Sequence, residues 1–474
     1  MHRPLGGGSG IFRRKPVEQI ASEHEGELNR SLGLWQLTAI GIGGIIGAGI
    51  FSLAGAVANK TAGPAVLISF LVAGIASAAA AFAYAEFAGL IPKAGSAYTY
   101  GYAVLGEIVG WFIGWDLLLE YIAIVAVVAI GISGYFGFLV GAIGLALPAW
   151  MLGAPGTGEG HKVDLFAALL CLLIAWLLNL GISNAAKFET VLVWLKVGLV
   201  LLVIIVGFFH INTDNYTPFF PFGFGGAITG AATVFFAVFG YDAMSTAAEE
   251  SKDAQKHMPK AIVLSLAISM VLYVLACLVL TGMQSYRDID SESAFANAFA
   301  AVGLPGLATV IAVGAIVGII TVLFTFMLGV TRVWFSMSRD GLLPQWFAKT
   351  HPVRKVPSRV TWIAGVASAL IAGFLPIREA AELTNIGILL AFVVVSVAVI
   401  VLRYRRPELP RTFRCPGVPV VPLIGIVFSL WLITELTATT WLRFGAWFAL
   451  GLVIYFAYSR RNSELARPER PGVS

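Results

Sequence analysis

In "KFETVLVWLKVGLVLLVIIVGF" one lysine, Lys196, stands within an apolar run, nine residues beyond Lys187. A helix rising 1.5 Å per residue carries it about 13 Å inward, too deep for its ammonium to snorkel back to water. A charge at such depth costs about 2.5–3.5 kcal/mol even on a lenient insertion scale. A lysine kept there is either paired permanently with a carboxylate or placed to give up and recover a proton. "EIVGWFIGWDLLLEYIAIVAVVAIGI" holds Asp116 and Glu120, four apart and therefore on one helix face. Glu107 begins that run and is interfacial, whereas Glu120 lies deeper, facing an internal cavity or satisfied by neighbouring hydroxyls.

Two further stretches carry little charge but unusual backbone. "GIGGIIGAGIF", Gly41 to Phe51, has five glycines in eleven residues, and each weakens a helix interior by about 1 kcal/mol relative to Ala. Close packing through Gly43 and Gly47 accounts for part of this. An unwound segment at Gly47 to Gly49 accounts for the rest, with freed amides facing an anion. In "ATVFFAVFGYDAMSTAAEES", Gly240 permits a second break and Asp242 accepts amides exposed by it. Carbonyls near Phe236 and Phe239 would receive an ammonium there, and the rings would close over it; ordinary packing is the other reading of these rings. A zwitterionic amino acid fits both ends.

The elements that position these residues are membrane spans. Hydrophobic residues make up 58% of the 474, charged ones only 12%, and the mean hydropathy is +0.86. Apolar runs of about 20 residues, enough to cross a bilayer, predict twelve helices at 35–57, 64–91, 103–133, 165–183, 188–209, 227–248, 259–283, 303–330, 359–376, 384–403, 419–434 and 437–458. With twelve spans both termini share one side. Of the 31 Lys and Arg, 25 fall on that side and five (Lys60, Lys162, Arg287, Arg378 and Arg443) on the other, with Lys196 inside a span. The positive-inside rule makes the termini cytoplasmic, so the net charge of +5 follows the bilayer and not a nucleic acid.

Spans one and six are the two with interruptions. Two repeats of five spans followed by two extra helices is the simplest partition: a tail at 1–30, repeats at 31–210 and 211–404, the last two helices at 405–460, and a tail at 461–474. The tails are expected to be mobile, and no cleavable signal peptide precedes the first span. Glu86 reads as an anchor near the "IPKAGSAY" turn, the Glu249–Glu250 pair as part of a solvated loop, and "FSMSRDGLLP" as a loop that could serve an inner gate. Cys171, Cys277 and Cys415 are scattered packing residues, and the six histidines lack metal-ligand spacing. No HExxH, P-loop or nucleophile elbow is present. These absences disfavour an enzyme and leave no cofactor or metal to be expected.

"GIGGIIGAGIF", "FFAVFGYDAMSTAAEES" with "MPKAI", and "FSMSRDGLLP" together resemble the amino acid, polyamine and organocation permeases, in particular their bacterial cationic amino acid transporter branch. The likeness covers about residues 31–460. It implies an all-α integral membrane protein of twelve transmembrane helices with a LeuT-like fold: five plus five inverted helices and two additional C-terminal ones. It implies import of L-amino acids across the cytoplasmic membrane by proton symport and alternating access. Ile45, Gly47, Ala48 and Gly49 would surround the substrate carboxylate. Phe236, Phe239 and Gly240 would hold its ammonium and side chain, and Glu120 would lie near the site. Lys196 would stand where relatives hold a sodium ion and would serve proton coupling. The chain departs from the family pattern at Ala48, where Thr is common. The branch includes carriers of small neutral amino acids, and a small single-span subunit is a conceivable partner. An exchanger of amino acids or polyamines and a non-transporting substrate sensor are the alternatives.

Overall fold

A segment that lies in hydrocarbon must satisfy its own amides and carbonyls, and a helix does this within one stretch of chain. The computed structural model is built of helices over most of its described residues, with two interruptions. It describes residue 13 and residues 32–91, 96–180, 185–245, 251–291, 293–350 and 356–463. Among these the only bridges between extended residues are Leu32 with Ser251 and Leu152 with Asp164. Most of the terminal tails, Lys93 and Glu249–Glu250 lie outside the described residues.

Span one begins as the helix Leu34–Ile45 and resumes as a π-helical turn Gly49–Leu53, the helix Ala54–Val57 and a second π-helical turn Ala58–Ala62. Gly63, at φ +63°, and Pro64 separate it from span two, Val66–Leu90. Spans three to five are Glu107–Ala142, Leu165–Asn179 and Ala185–Phe208. Span six comprises Gly223–Val234, a 3-10 turn Phe235–Val238 and the short helix Tyr241–Ser245. Spans seven to ten are Ala254–Met283, Pro305–Arg339, Ser358–Phe374 and Ile377–Arg405; spans eleven and twelve are Val420–Thr434 and Ala438–Ile454. Span two packs along seven, three along eight and four along nine.

Several boundaries differ from expectation for physical reasons. Span three runs nine residues past 133 and span eight nine past 330, because no Pro interrupts either and helical bonding continues beyond the apolar run. At 36 residues span three is about 54 Å long. Its start is set by Gly106 at φ +110°, which separates it from another helix, Ser96–Val104, that overlaps the expected third span only at residues 103 and 104. The short helix Ala294–Ala301 in the loop between spans seven and eight has no counterpart in the sequence reading.

Spans five, nine, eleven and twelve turn Trp194, Ile205, Leu370, Val427 and Leu442 outward. That apolar belt suits lipid. Span one packs chiefly against spans seven and five, and span six against span two and, less extensively, span ten. At one end Glu86 of span two is ion-paired with Arg403 of span ten and with Arg411 (2.8 Å), and accepts from Cys415 N–H (2.8 Å). The anchor expected of Glu86 is thus a clasp between span two and the chain following span ten.

Candidate functional site

The first helix stops where Ile46 turns extended, at φ −74° and ψ 107°. The opening is therefore centred on Ile46 and Gly47, slightly before the expected Gly47 to Gly49. Its glycines serve both readings, because each faces a different neighbour. A Cβ on Gly43 would lie 2.7 Å from Val193 of span five, and one on Gly47 3.1 Å from Val322 of span eight. On Gly44 it would lie 2.7 Å from the Gly240 carbonyl oxygen, and on Gly49 2.2 Å from the Ala237 Cβ. The two interrupted helices thus meet backbone to backbone, a contact only glycine permits.

Span six changes from α-helix to a 3-10 turn at Phe235, extends at Phe239 (ψ 171°) and reverses at Gly240, where φ is +124°. That left-handed conformation is strained for any residue with a Cβ. Space excludes one as well, since a Cβ on Gly240 would stand 2.6 Å from the Gly44 carbonyl carbon.

Interrupting a buried helix strands backbone carbonyls, and each needs a donor. Lys196 is fully buried, and its ammonium donates to Gly43 O (2.5 Å) and Thr321 Oγ1 (3.3 Å), with Gly318 O at 3.5 Å. Gly318 admits the lysine closely, since a Cβ there would be 2.8 Å from the Lys196 Cβ. Tyr273 of span seven donates to Ile45 O at 2.7 Å, and its hydroxyl also lies beside Gly47 N–H. In an unbroken helix Gly43 O and Ile45 O would serve the amides of Gly47 and Gly49; here side chains take them. On span six, Ser77 donates to Val238 O (2.7 Å), and Asn385 of span ten to Ala232 O (2.7 Å) and Thr233 O (2.9 Å). Tyr135 donates to Phe51 O at 2.6 Å within the π-helical turn.

Tyr273, Ser77, Asn385 and Tyr135 were not singled out from the sequence. Only Asn385, an amide in "ELTNIGILL", carried a signal, because an uncharged amide within an apolar span needs partners.

Asp242 is buried, and its carboxylate accepts the Tyr121 hydroxyl of span three. Glu120, 1% exposed, stands within electrostatic reach of Asp242 and Asp116. Asp116 packs on span ten where Gly387 leaves room. Neither oxygen of either Asp116 or Glu120 has a hydrogen-bond partner among the described residues, so the hydroxyl-satisfied alternative for Glu120 does not hold. Phe239 joins Tyr241 (5.6 Å) and Phe392 (5.5 Å) in an aromatic wall, while Phe236 is buried on the preceding turn. Ala48 faces Gly131 of span three at 3.0 Å from a Cβ there. Ile45, Gly47, Ala48, Gly49, Lys196, Phe236, Phe239 and Gly240 therefore converge on the two breaks, and Glu120 joins them through Asp242.

A cavity of about 1020 Å³ approaches the breaks from one end. It is lined by Ala56, Val57 and Thr61 of span one, Thr233 of span six and Ile377 of span ten. At the other end the helices are fastened together. Tyr98 donates to Asp340 (2.7 Å), Ser459 to Leu342 O (2.6 Å), and Tyr455 (3.1 Å) and Ser463 (2.7 Å) to Glu107. Asp340 and Leu342 belong to "FSMSRDGLLP", so that loop takes part in the closed end.

The amino acid permease family model matches residues 32–454. Similar proteins include a methylthioribose transporter of Bacillus subtilis (strain 168), 46% identical over 96% of this chain and 99% of its own. A branched-chain amino acid permease, BcaP, of the same organism is 45% identical over the same shares. A vacuolar cationic amino acid transporter 4 of Arabidopsis thaliana is 35% identical over 84% of this chain and 68% of its own.

Proposed function

The chain belongs to the amino acid permease family, and from that premise we propose a transporter that imports L-amino acids by proton symport with alternating access. The observation that carries this is the backbone contact of two interrupted helices at Gly44 and Gly240. On one side of it is the amide of Gly49, whose regular carbonyl partner, Ile45 O, is engaged by Tyr273. On the other is the 3-10 turn Phe235–Val238. The first suits a carboxylate and the second an ammonium. Ile45 and Ala48 complete the carboxylate end, and Phe236 and Phe239 enclose the side chain.

Relatives of nearly equal identity carry different substrate names, so similarity alone does not choose between a thioether sugar and an amino acid. The paired backbone ends favour the amino acid. The aromatic wall favours an apolar side chain, and L-leucine is the first substrate to try. Glu120 would give a cationic side chain a counter-charge, so L-arginine is the informative competitor. Lys196 couples transport to protons: its ammonium bridges spans one, five and eight, and losing a proton there would loosen span one from its wall. The cavity end is extracytoplasmic. Lys60 and Arg378 line it, Arg443 pairs with Glu379 on its rim, and the fewer cations lie outside. The termini are then cytoplasmic.

A panel of twenty amino acids and methylthioribose competing against radiolabelled L-leucine tests this reading. Displacement by neutral aliphatic amino acids is expected. Stronger displacement by L-arginine would move the substrate to the cationic class, and binding of methylthioribose with no effect of any amino acid would contradict the reading.

A further inference from the structure

The outer cavity carries charges of both signs, and most are already engaged. Arg378 pairs with Glu382 (2.9 Å) and Glu379 with Arg443 (2.7 Å). Asp290 accepts from Ser293 N–H (2.6 Å). Two are not engaged. Lys60, at the outer end of span one, and Asp288, on the loop after span seven, both line the cavity and are exposed, and neither has an ion-pair partner within 4.0 Å among the described residues. Arg287, within electrostatic reach of Asp288, is turned onto Tyr286, with a 3.2 Å hydrogen bond to its hydroxyl.

The segments that bear Lys60 and Asp288 are fixed to one another by other means. Asn59, next to Lys60, donates to the carbonyls of Tyr286 (3.2 Å) and Arg287 (3.0 Å), the residues just before Asp288. Gly55 lies against the Asp290 carbonyl, 2.6 Å from where its Cβ would be. This clamp ties the end of span one that bears Lys60 to the loop that bears Asp288, so that an ammonium and a carboxylate, not paired with each other within 4.0 Å, line one cavity. A ligand with one charge of each sign complements that arrangement.

We propose that Lys60 and Asp288 form an outer capture site for a zwitterionic α-amino acid, Lys60 receiving its carboxylate and Asp288 its ammonium. The inference rests on the functional reading above and adds a station ahead of the two breaks. The same cavity is lined by Val57 and Thr233 of the two interrupted spans. Exposed charges attract weakly and are screened by salt, so the site raises the local substrate concentration and does not hold the substrate tightly.

The test is the initial rate of radiolabelled L-leucine uptake in proteoliposomes of fixed orientation, at low ionic strength. Lys60→Gln and Asp288→Asn should each raise the outer-face KM about three-fold, the scale of one exposed ionic contact, with kcat unchanged. The KM for efflux from preloaded vesicles should not move, and salt should abolish the difference between variant and original. The exchanged pair Lys60→Asp with Asp288→Lys should recover part of the lost KM, which a folding defect would not allow. An unchanged outer KM in both single variants, or an equal change at both faces, overturns the capture site and leaves the transporter reading standing. No L-leucine uptake by the unaltered protein would remove the L-leucine reading and the capture site with it, before any variant is compared.

Discussion

Lys196 and Gly240 carry the account at the level of single residues. Lys196 was legible because a lysine about 13 Å into an apolar run costs too much to be incidental. Its partners were not legible: Gly43 lies 153 residues away and Thr321 125 residues away, and nothing in local sequence pairs them. Gly240→Ala must place a Cβ at φ +124° and 2.6 Å from Gly44. The left-handed conformation alone costs about 1–2 kcal/mol, and the contact forces the breaks apart. Substrate binding should fall at least tenfold while the detergent-extracted protein still runs as a monodisperse species. Binding equal to the original would contradict the backbone contact.

For the interrupted helices, the central cost is stranded carbonyls. Tyr273→Phe removes the donor to Ile45 O and leaves a buried acceptor unpaired, at about 1–3 kcal/mol. A melting temperature lower by several degrees and a raised substrate KM are expected, since the same hydroxyl lies beside Gly47 N–H. An unaltered melting temperature would mean that another donor reaches Ile45 O. Asn385→Leu should act alike on span six, with the carbonyls of Ala232 and Thr233 both released. The breaks themselves could be read from glycine density, because glycine in a buried helix needs a reason. The donors could not: serines and tyrosines are ordinary in membrane helices, and only folding shows which of them meets a freed carbonyl. The slight shift of the first break toward Ile46 has the same origin, since glycines permit an opening while the donors Lys196 and Tyr273 fix its place.

As a whole the molecule was largely legible, because hydrocarbon imposes one solution on every long apolar run. Spans one to twelve follow the hydropathy, and those that overran did so where no breaker stopped the helix, as in span three. The helices Ser96–Val104 and Ala294–Ala301 were missed: they are short and lie at the ends of longer apolar runs. Glu86 shows what a one-dimensional reading withholds, since its partners Arg403 and Arg411 come from the far end of the chain. Glu86→Gln weakens a buried ionic clasp with Arg411, 1% exposed. Loss of one partner of such a pair costs about 3–5 kcal/mol, so a markedly lower melting temperature is expected, measured by thermal unfolding in detergent. An unchanged one would show the clasp to be dispensable.

Proton coupling through Lys196 is tested most directly by L-leucine accumulation in sodium-free proteoliposomes under an imposed inward proton gradient, comparing the unaltered protein with Lys196→Ala. The unaltered protein should concentrate L-leucine above equilibrium, and the variant should only equilibrate it. Accumulation by Lys196→Ala equal to that of the unaltered protein, or an absolute need for sodium, would contradict the account.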